Sequence, residues 1–171
     1  MKKYLKKSFW RITFIIFNIL IVTGNATAAT TNTTFQVTAT ILDACSISAN
    51  ALNFGSYVYT ANSDQITTIN VTCTNGTTYK IGLDAGLASG ATTSTRKMRG
   101  TPNTRTLNYS LYQDSGRTTN WGNIVGTDTV PGLGNGTAQA VTVYGRIPSG
   151  QNTAFVDSTY ADTITVTLTF P

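Results

Sequence analysis

Apolar and polar residues alternate with a period of two over most of the chain, the spacing of half-buried β-strands. Phe35, Val37, Ala39 and Ile41 share one face of "FQVTATIL", and Leu52 and Phe54 share one face of "ALNFGSY". Ile69, Val71 and Cys73 alternate before Asn75-Gly76, and Tyr79, Ile81 and Leu83 alternate after it, which predicts a β-hairpin turning at that dipeptide. Leu107, Tyr109 and Leu111 mark another strand in "TLNYSLY", and "AVTVYGRIP" a further one. Between them "DAGLASGATTSTRKMRGTPNTR" keeps no period and is expected to be a surface excursion. The last segment, "TYADTITVTLTFP", sets Ile164, Val166, Leu168 and Phe170 against Thr163, Thr165, Thr167 and Thr169. It reads as a half-buried strand whose far edge has no following strand to pair with.

Composition supports strands joined by turns. Thr, Gly and Asn are abundant, while Glu and His are absent, so the chain is expected to be all-β. The first 28 residues stand apart. Lys2, Lys3, Lys6, Lys7 and Arg11, the apolar run Ile12 to Val22 and the small-residue site Ala26-Thr27-Ala28 predict a secretory signal peptide cut after Ala28. The apolar run is shorter than the ~20 residues of a bilayer span, so no membrane span is expected in the mature chain. That leader holds five of the twelve Lys and Arg, leaving seven cations against seven Asp. The basicity of the whole chain therefore says nothing about nucleic acid or anionic membranes as partners.

Candidate chemistry is sparse. Cys45 and Cys73, the only cysteines, are expected to pair in an oxidising compartment and to staple the first strand region to the third. A metal site would need further ligands, and without His no triad can form, so neither metal, cofactor nor catalytic residues are expected. The seven Asp are scattered near turns, and no pattern pairs two of them for general acid–base work. Arg96, Lys97, Arg99 and Arg105 cluster in the aperiodic connection without interleaved aromatics, which fits a solvated loop or subunit contact and not a nucleic-acid site.

Several pieces together resemble the spore coat protein U domain family, whose members include subunits of archaic, Csu-type chaperone–usher pili. They are "FQVTATILDACSI", "LNFGSY", "INVTCTNGTTYKIGLDAG", "RKM" followed by "LNYSLYQDSGRTTNWG", "VYGRIPSGQ" and "YADTITVTLTF". The resemblance implies an incomplete immunoglobulin-like β-sandwich that lacks its last strand and is completed by donor-strand complementation. Residues 29–41 would form the donor strand through Phe35, Val37, Ala39 and Ile41, and residues 42–171 the domain. Ile164, Val166, Leu168 and Phe170 would line the acceptor groove, where a periodic strand supplies main-chain bonds and pocket-filling side chains. Implied partners are identical or homologous pilins, a periplasmic chaperone and an outer-membrane usher. The implied location is a pilus at the cell surface, reached through the periplasm, with roles in attachment and biofilm formation. Two alternatives stay open: a monomeric secreted or spore-coat protein completed in cis by its own "FQVTATIL", and a tip adhesin touching surfaces through its loops.

Overall fold

The computed structural model describes residues 24, 27–101, 105–156 and 159–171. Apart from Gly24, Thr27 and Ala28, the expected signal peptide lies outside the described residues. The chain divides into two units, Met1–Ala39 and Thr40–Pro171. In the first unit, residues 27–39 carry no strand and are exposed, Phe35 at 87% and Val37 at 82%. The alternation of "FQVTATIL" is thus not matched by any pairing of that segment, and Ile41 in the second unit is equally exposed and unpaired.

The second unit contains nine described strands and no helix. They are β1 (Cys45–Ala49), β2 (Ser63–Cys73), β3 (Thr78–Leu83), β4 (Arg96–Thr101), β5 (Thr106–Tyr112), β6 (Val130–Leu133), β7 (Gln139–Ile147), β8 (Thr159–Ala161) and β9 (Val166–Thr169). A six-stranded sheet runs β1-β2-β7-β5-β4-β8 and a three-stranded sheet runs β6-β3-β9, every pairing antiparallel. Inward side chains of the two sheets, among them Ile69, Val71, Leu111 and Val143 on one side and Ile81 and Leu83 on the other, belong to one core cluster.

Asn75-Gly76 makes a tight turn, with Thr77 N–H donating to the Thr74 carbonyl at 3.0 Å and Gly76 at φ +90°, but it does not make a hairpin. β2 and β3 lie in different sheets. Both edges of β2 are occupied around Val71, by Ile47 of β1 and Gln139 of β7, so none is left for β3. The turn instead carries the chain across the core, and two apolar faces that would lie side by side in a hairpin oppose each other. A second turn locks it: Gly134 N–H donates to the Thr77 carbonyl at 2.8 Å and Gly76 N–H to the Gly134 carbonyl at 2.9 Å. Gly134 must be glycine here, because a Cβ would stand 2.4 Å from the Thr74 carbonyl oxygen.

Cys45 and Cys73 are disulfide-bonded and are direct register partners. The bridge joins β1 to β2, the first strand to the second and not to the third, because "ALNFGSY" does not pair as a strand. Its Leu52 and Phe54 still pack on the core, laid over Gly145 of β7. A Cβ there would come within 2.6 Å of Leu52 and 2.8 Å of Phe54.

The expected surface excursion after Leu83 holds β4, in the middle of the six-stranded sheet's far half between β5 and β8. Its period is hidden because one inward position is arginine. Arg96 is fully buried, and four of its N–H groups reach backbone carbonyls: Nε to Asp84 at 2.7 Å, Nη1 to Thr93 at 2.6 Å, and Nη2 to Leu83 at 2.9 Å and Trp121 at 2.7 Å. Trp121, also fully buried, donates Nε1–H to the Ile81 carbonyl at 2.9 Å. Arg96 is therefore a structural cation and no part of a solvated basic patch. Desolvation lowers its pKa, opposed by the charges of Tyr109, Asp84, Asp162 and Asp128.

Each buried carbonyl left unpaired costs about 1–3 kcal/mol, and lysine's compact ammonium cannot reproduce the planar fork. Arg96→Met is therefore expected to destabilise the domain by about 3 kcal/mol or more. Arg96→Lys should recover little of that loss although it keeps the charge. Urea midpoints at unchanged slope measure both, and a lysine variant as stable as wild type would contradict this account.

Candidate functional site

β9 pairs with β3 alone, in the register Lys80↔Thr169, Ile81↔Leu168, Gly82↔Thr167 and Leu83↔Val166. Among the described residues no strand pairs with its other edge, which leaves a row of backbone donors and acceptors open. Beside it, within the second unit, lies a groove of about 530 Å³. Its floor takes one side chain from each of five adjacent strands of the large sheet: Ile69, Val143, Leu111, Met98 and Tyr160. Leu83, Ile164 and Val166 form one flank, and Leu52 and Phe54 another. Phe54 meets Tyr109 edge to face, ring centroids 6.2 Å apart. The groove is thus mainly apolar and long enough to cross most of the sheet.

The terminal segment builds this site by changing sheets. β8 pairs with β4 in the large sheet, whereas β9 pairs with β3 in the small one, so the single terminal strand expected from alternation is two short ones. The switch at residues 162–165 is held by two carboxylates. Asp84 Oδ1 accepts the N–H of Thr165 at 2.9 Å and of Gly86 at 3.0 Å, and Asp84 N–H donates to the Thr165 carbonyl at 3.2 Å. Asp162 Oδ1 accepts the N–H of Leu87 at 2.9 Å and of Thr163 at 2.8 Å, while its Oδ2 accepts the Tyr109 hydroxyl at 2.8 Å. Burial raises the Tyr109 pKa, and its bond to Asp162 and that carboxylate's charge raise it further, so the phenol stays a donor.

The four terminal residues expected to form a groove are divided by this geometry. Ile164 and Val166 line it; Leu168 is half-buried against the core but outside the lining; Phe170 lies beyond β9 and is 39% exposed. Sequence reasoning placed Leu52 and Phe54 on one face without assigning them a role. Met98 and Tyr160 it missed: Met98 because the buried Arg96 hides the period of β4, and Tyr160 because Asp162 separates it from the apolar run that begins at Ile164. The groove holds no charged group besides Asp162, and among the described residues no cluster of His, Cys, Asp or Glu could hold a metal ion.

Partial burial raises the Asp84 pKa, but the hydrogen bonds from Thr165 and Gly86 and the Arg96 charge outweigh it, and the net shift is downward. A depressed carboxylate contributes stability above its unfolded pKa of about 3.9 and loses it as pH falls through the lower folded value. Stability is therefore expected to drop below pH ~4, and Asp84→Asn should flatten that part of the profile. Thermal midpoints between acid and neutral pH decide it; an unchanged acid slope in the variant would exclude Asp84 as a contributor.

The Spore Coat Protein U domain matches residues 31–167. Protein U of Myxococcus xanthus is 40% identical over 166 residues, which take in 88% of this chain and 91% of that protein. Among solved structures, the chaperone–tip adhesion subunit pre-assembly complex CsuC–CsuE, from the archaic chaperone–usher Csu pili of Acinetobacter baumannii, contains a chain similar at TM-score 0.57 and 24% identity. The match covers 75% of this chain but only 40% of that one. A chaperone–usher pilus structure is similar at TM-score 0.50 and 13% identity, over 85% of this chain and 99% of its own. Both likenesses are of fold, and they agree with an all-β sandwich one strand short. With its match running over most of its length and a relative at 40% identity, the chain belongs to the Spore Coat Protein U domain family.

Proposed function

We propose that this protein is a structural subunit, not an enzyme, of a chaperone–usher-type surface fibre. The observation that carries the reading is the unpaired edge of β9 beside an apolar groove of about 530 Å³. Such an edge wants a strand with apolar side chains at alternate positions. Residues 29–41 of another copy have that pattern in Phe35, Val37, Ala39 and Ile41, and Phe35, Val37 and Ile41 are exposed and ready to be buried. Ile164 and Val166 are the acceptor residues, with Leu168 further along β9 and Phe170 just past its end. Because groove and donor are different surfaces, the contact propagates into a filament instead of closing a dimer.

An open apolar edge invites aggregation, so a periplasmic chaperone occupies the groove before assembly and an outer-membrane usher receives the subunit. Residues 1–28 act as export leader, 29–41 as donor and 42–171 as the domain. Surface attachment and biofilm formation are the fibre's roles. The likeness in fold to chaperone–usher pilus structures supports this reading. The 40% identity to Protein U favours one second reading, a coat protein completed in cis by its own residues 35–42.

Deleting residues 29–37 separates the two. Under the fibre reading the variant stays soluble with chaperone but forms no ladder in unheated detergent gels, where wild type does. Misfolding of the variant even with chaperone would favour completion in cis. Val166→Asp places an unpaired carboxylate in the groove at a cost of several kcal/mol, comparable to a domain's net stability of about 5–15 kcal/mol. It should abolish accumulation in the periplasm, and a normal yield would count against an occupied groove.

A further inference from the structure

The Cys45–Cys73 disulfide sits where the donor segment joins the domain, and several hydrogen bonds gather around it. Thr74 N–H donates to the Ala44 carbonyl at 2.9 Å, the Thr74 hydroxyl lies 3.3 Å from the Leu42 carbonyl, and the buried Thr77 hydroxyl donates to Asp43 Oδ1 at 2.5 Å. Residues 42–45 are therefore fixed on the turn that leads from β2 to β3. β3 in turn pairs directly with β9.

We propose that this disulfide routes tension along a fibre from one groove to the next without loading the six-stranded sheet. The proposal rests on the fibre reading above. In a fibre, one neighbour holds residues 29–41, and the other is held on the edge of β9. Tension then arrives at Cys45 and crosses the disulfide to Cys73. From there it runs through the four-residue turn Thr74–Thr77 into β3 and so to β9.

Topology shows why a covalent bond is needed at that point. Cys45 and Cys73 are register partners at the same end of an antiparallel pair. Pulling them apart loads β1 and β2 as a zipper, one pair at a time, starting at Cys45↔Cys73 and ending at Ala49↔Ile69. Opened in sequence, hydrogen bonds of about 1 kcal/mol net each offer little resistance. β1 is also an edge strand, with β2 its only strand partner. The donor in its groove, by contrast, is bonded along its length and would have to shear. Without the disulfide, β1 peels before the junction yields; with it, the 28-residue separation between the cysteines never enters the stretched path.

Single-molecule pulling on assembled fibres tests this, with the same fibres measured before and after reduction by a small dithiol, so that folding and assembly are complete before the bond is cut. A Cys45→Ser/Cys73→Ser double variant, where it assembles, gives the same comparison without reductant. The expected result is a new extension of up to ~60 Å per subunit after reduction, the stretch from Cys45 to Ser63 at ~3.4 Å per residue, since β2 stays paired with β7; it should occur below the force at which junctions part. Oxidised fibres should lack it. If reduced fibres part at the same extension as oxidised ones, the junction is weaker than the β1–β2 zipper and the proposal is overturned. Failure of wild type to form any ladder in unheated gels would instead remove the fibre reading itself, an outcome the gel records before any pulling.

Discussion

Among the described strands β1, β6, β8 and β9 each have one strand partner, but β9 carries its free edge beside an apolar groove, and that open ladder governs the rest of the molecule. A sheet edge can be exposed safely when it is short, charged or carries proline. β6, the opposite edge of the small sheet, is only four residues long and contains Pro131. β9 is no longer, but Ile164 and Val166 beside it face an apolar groove and not solvent. The free edge and the open groove are the same deficiency, since one additional strand would satisfy the backbone of β9 and fill the space above the large sheet. That coincidence distinguishes a site built for an occupant from an ordinary sheet edge.

A sandwich one strand short still has to hold the flank of its own groove in place, and polar groups do much of that work. Arg96 gathers carbonyls from Leu83, Asp84, Thr93 and Trp121, and Asp84 and Asp162 fix the backbone that leads into β9. These groups tie the end of β3, the segment before β4 and the sheet switch before β9 to one another. Apolar contacts alone would tolerate a slide of β9 along β3, because a groove without occupant exerts no restoring force. Directional bonds to a buried guanidinium and two carboxylates do not. β9 is thereby held in register along β3.

Alternation along the chain made β2, β3, β5, β7 and the apolar side of the terminal segment legible, while "FQVTATIL" and "ALNFGSY" alternate without forming strands. It did not reveal which strands are neighbours. Period two says that Ile69 and Ile81 face a core; it is silent on whether they face it from one sheet or from two, and the Asn75-Gly76 turn serves either arrangement. β4 escaped because Arg96 occupies a core position, and no count of apolar residues can find a strand whose inward sequence is Arg96, Met98, Gly100. The break between β8 and β9 escaped because Asp162 bonds local backbone at a place where alternation continues unbroken on both sides. The exposed segment at residues 29–41 has the opposite character: its pattern is that of a strand, and it pairs with nothing described.

The proposed function gives this lack of pairing a physical reason. A donor that completed its own domain would add its hydrogen bonds and apolar burial to folding and leave nothing for association. Held apart, the same contacts become available between molecules, and the free energy that would have stabilised a monomer stabilises a junction. The domain must then be stable enough without its last strand to keep the groove shaped until a partner arrives. The disulfide between β1 and β2, worth roughly 3–4 kcal/mol for a loop of this length in the chain-entropy model, and the carbonyl cage around Arg96 contribute to that margin. On the proposed function, such a subunit trades completeness for valency: the open edge that invites aggregation is also the surface that links it, strand by strand, to further copies.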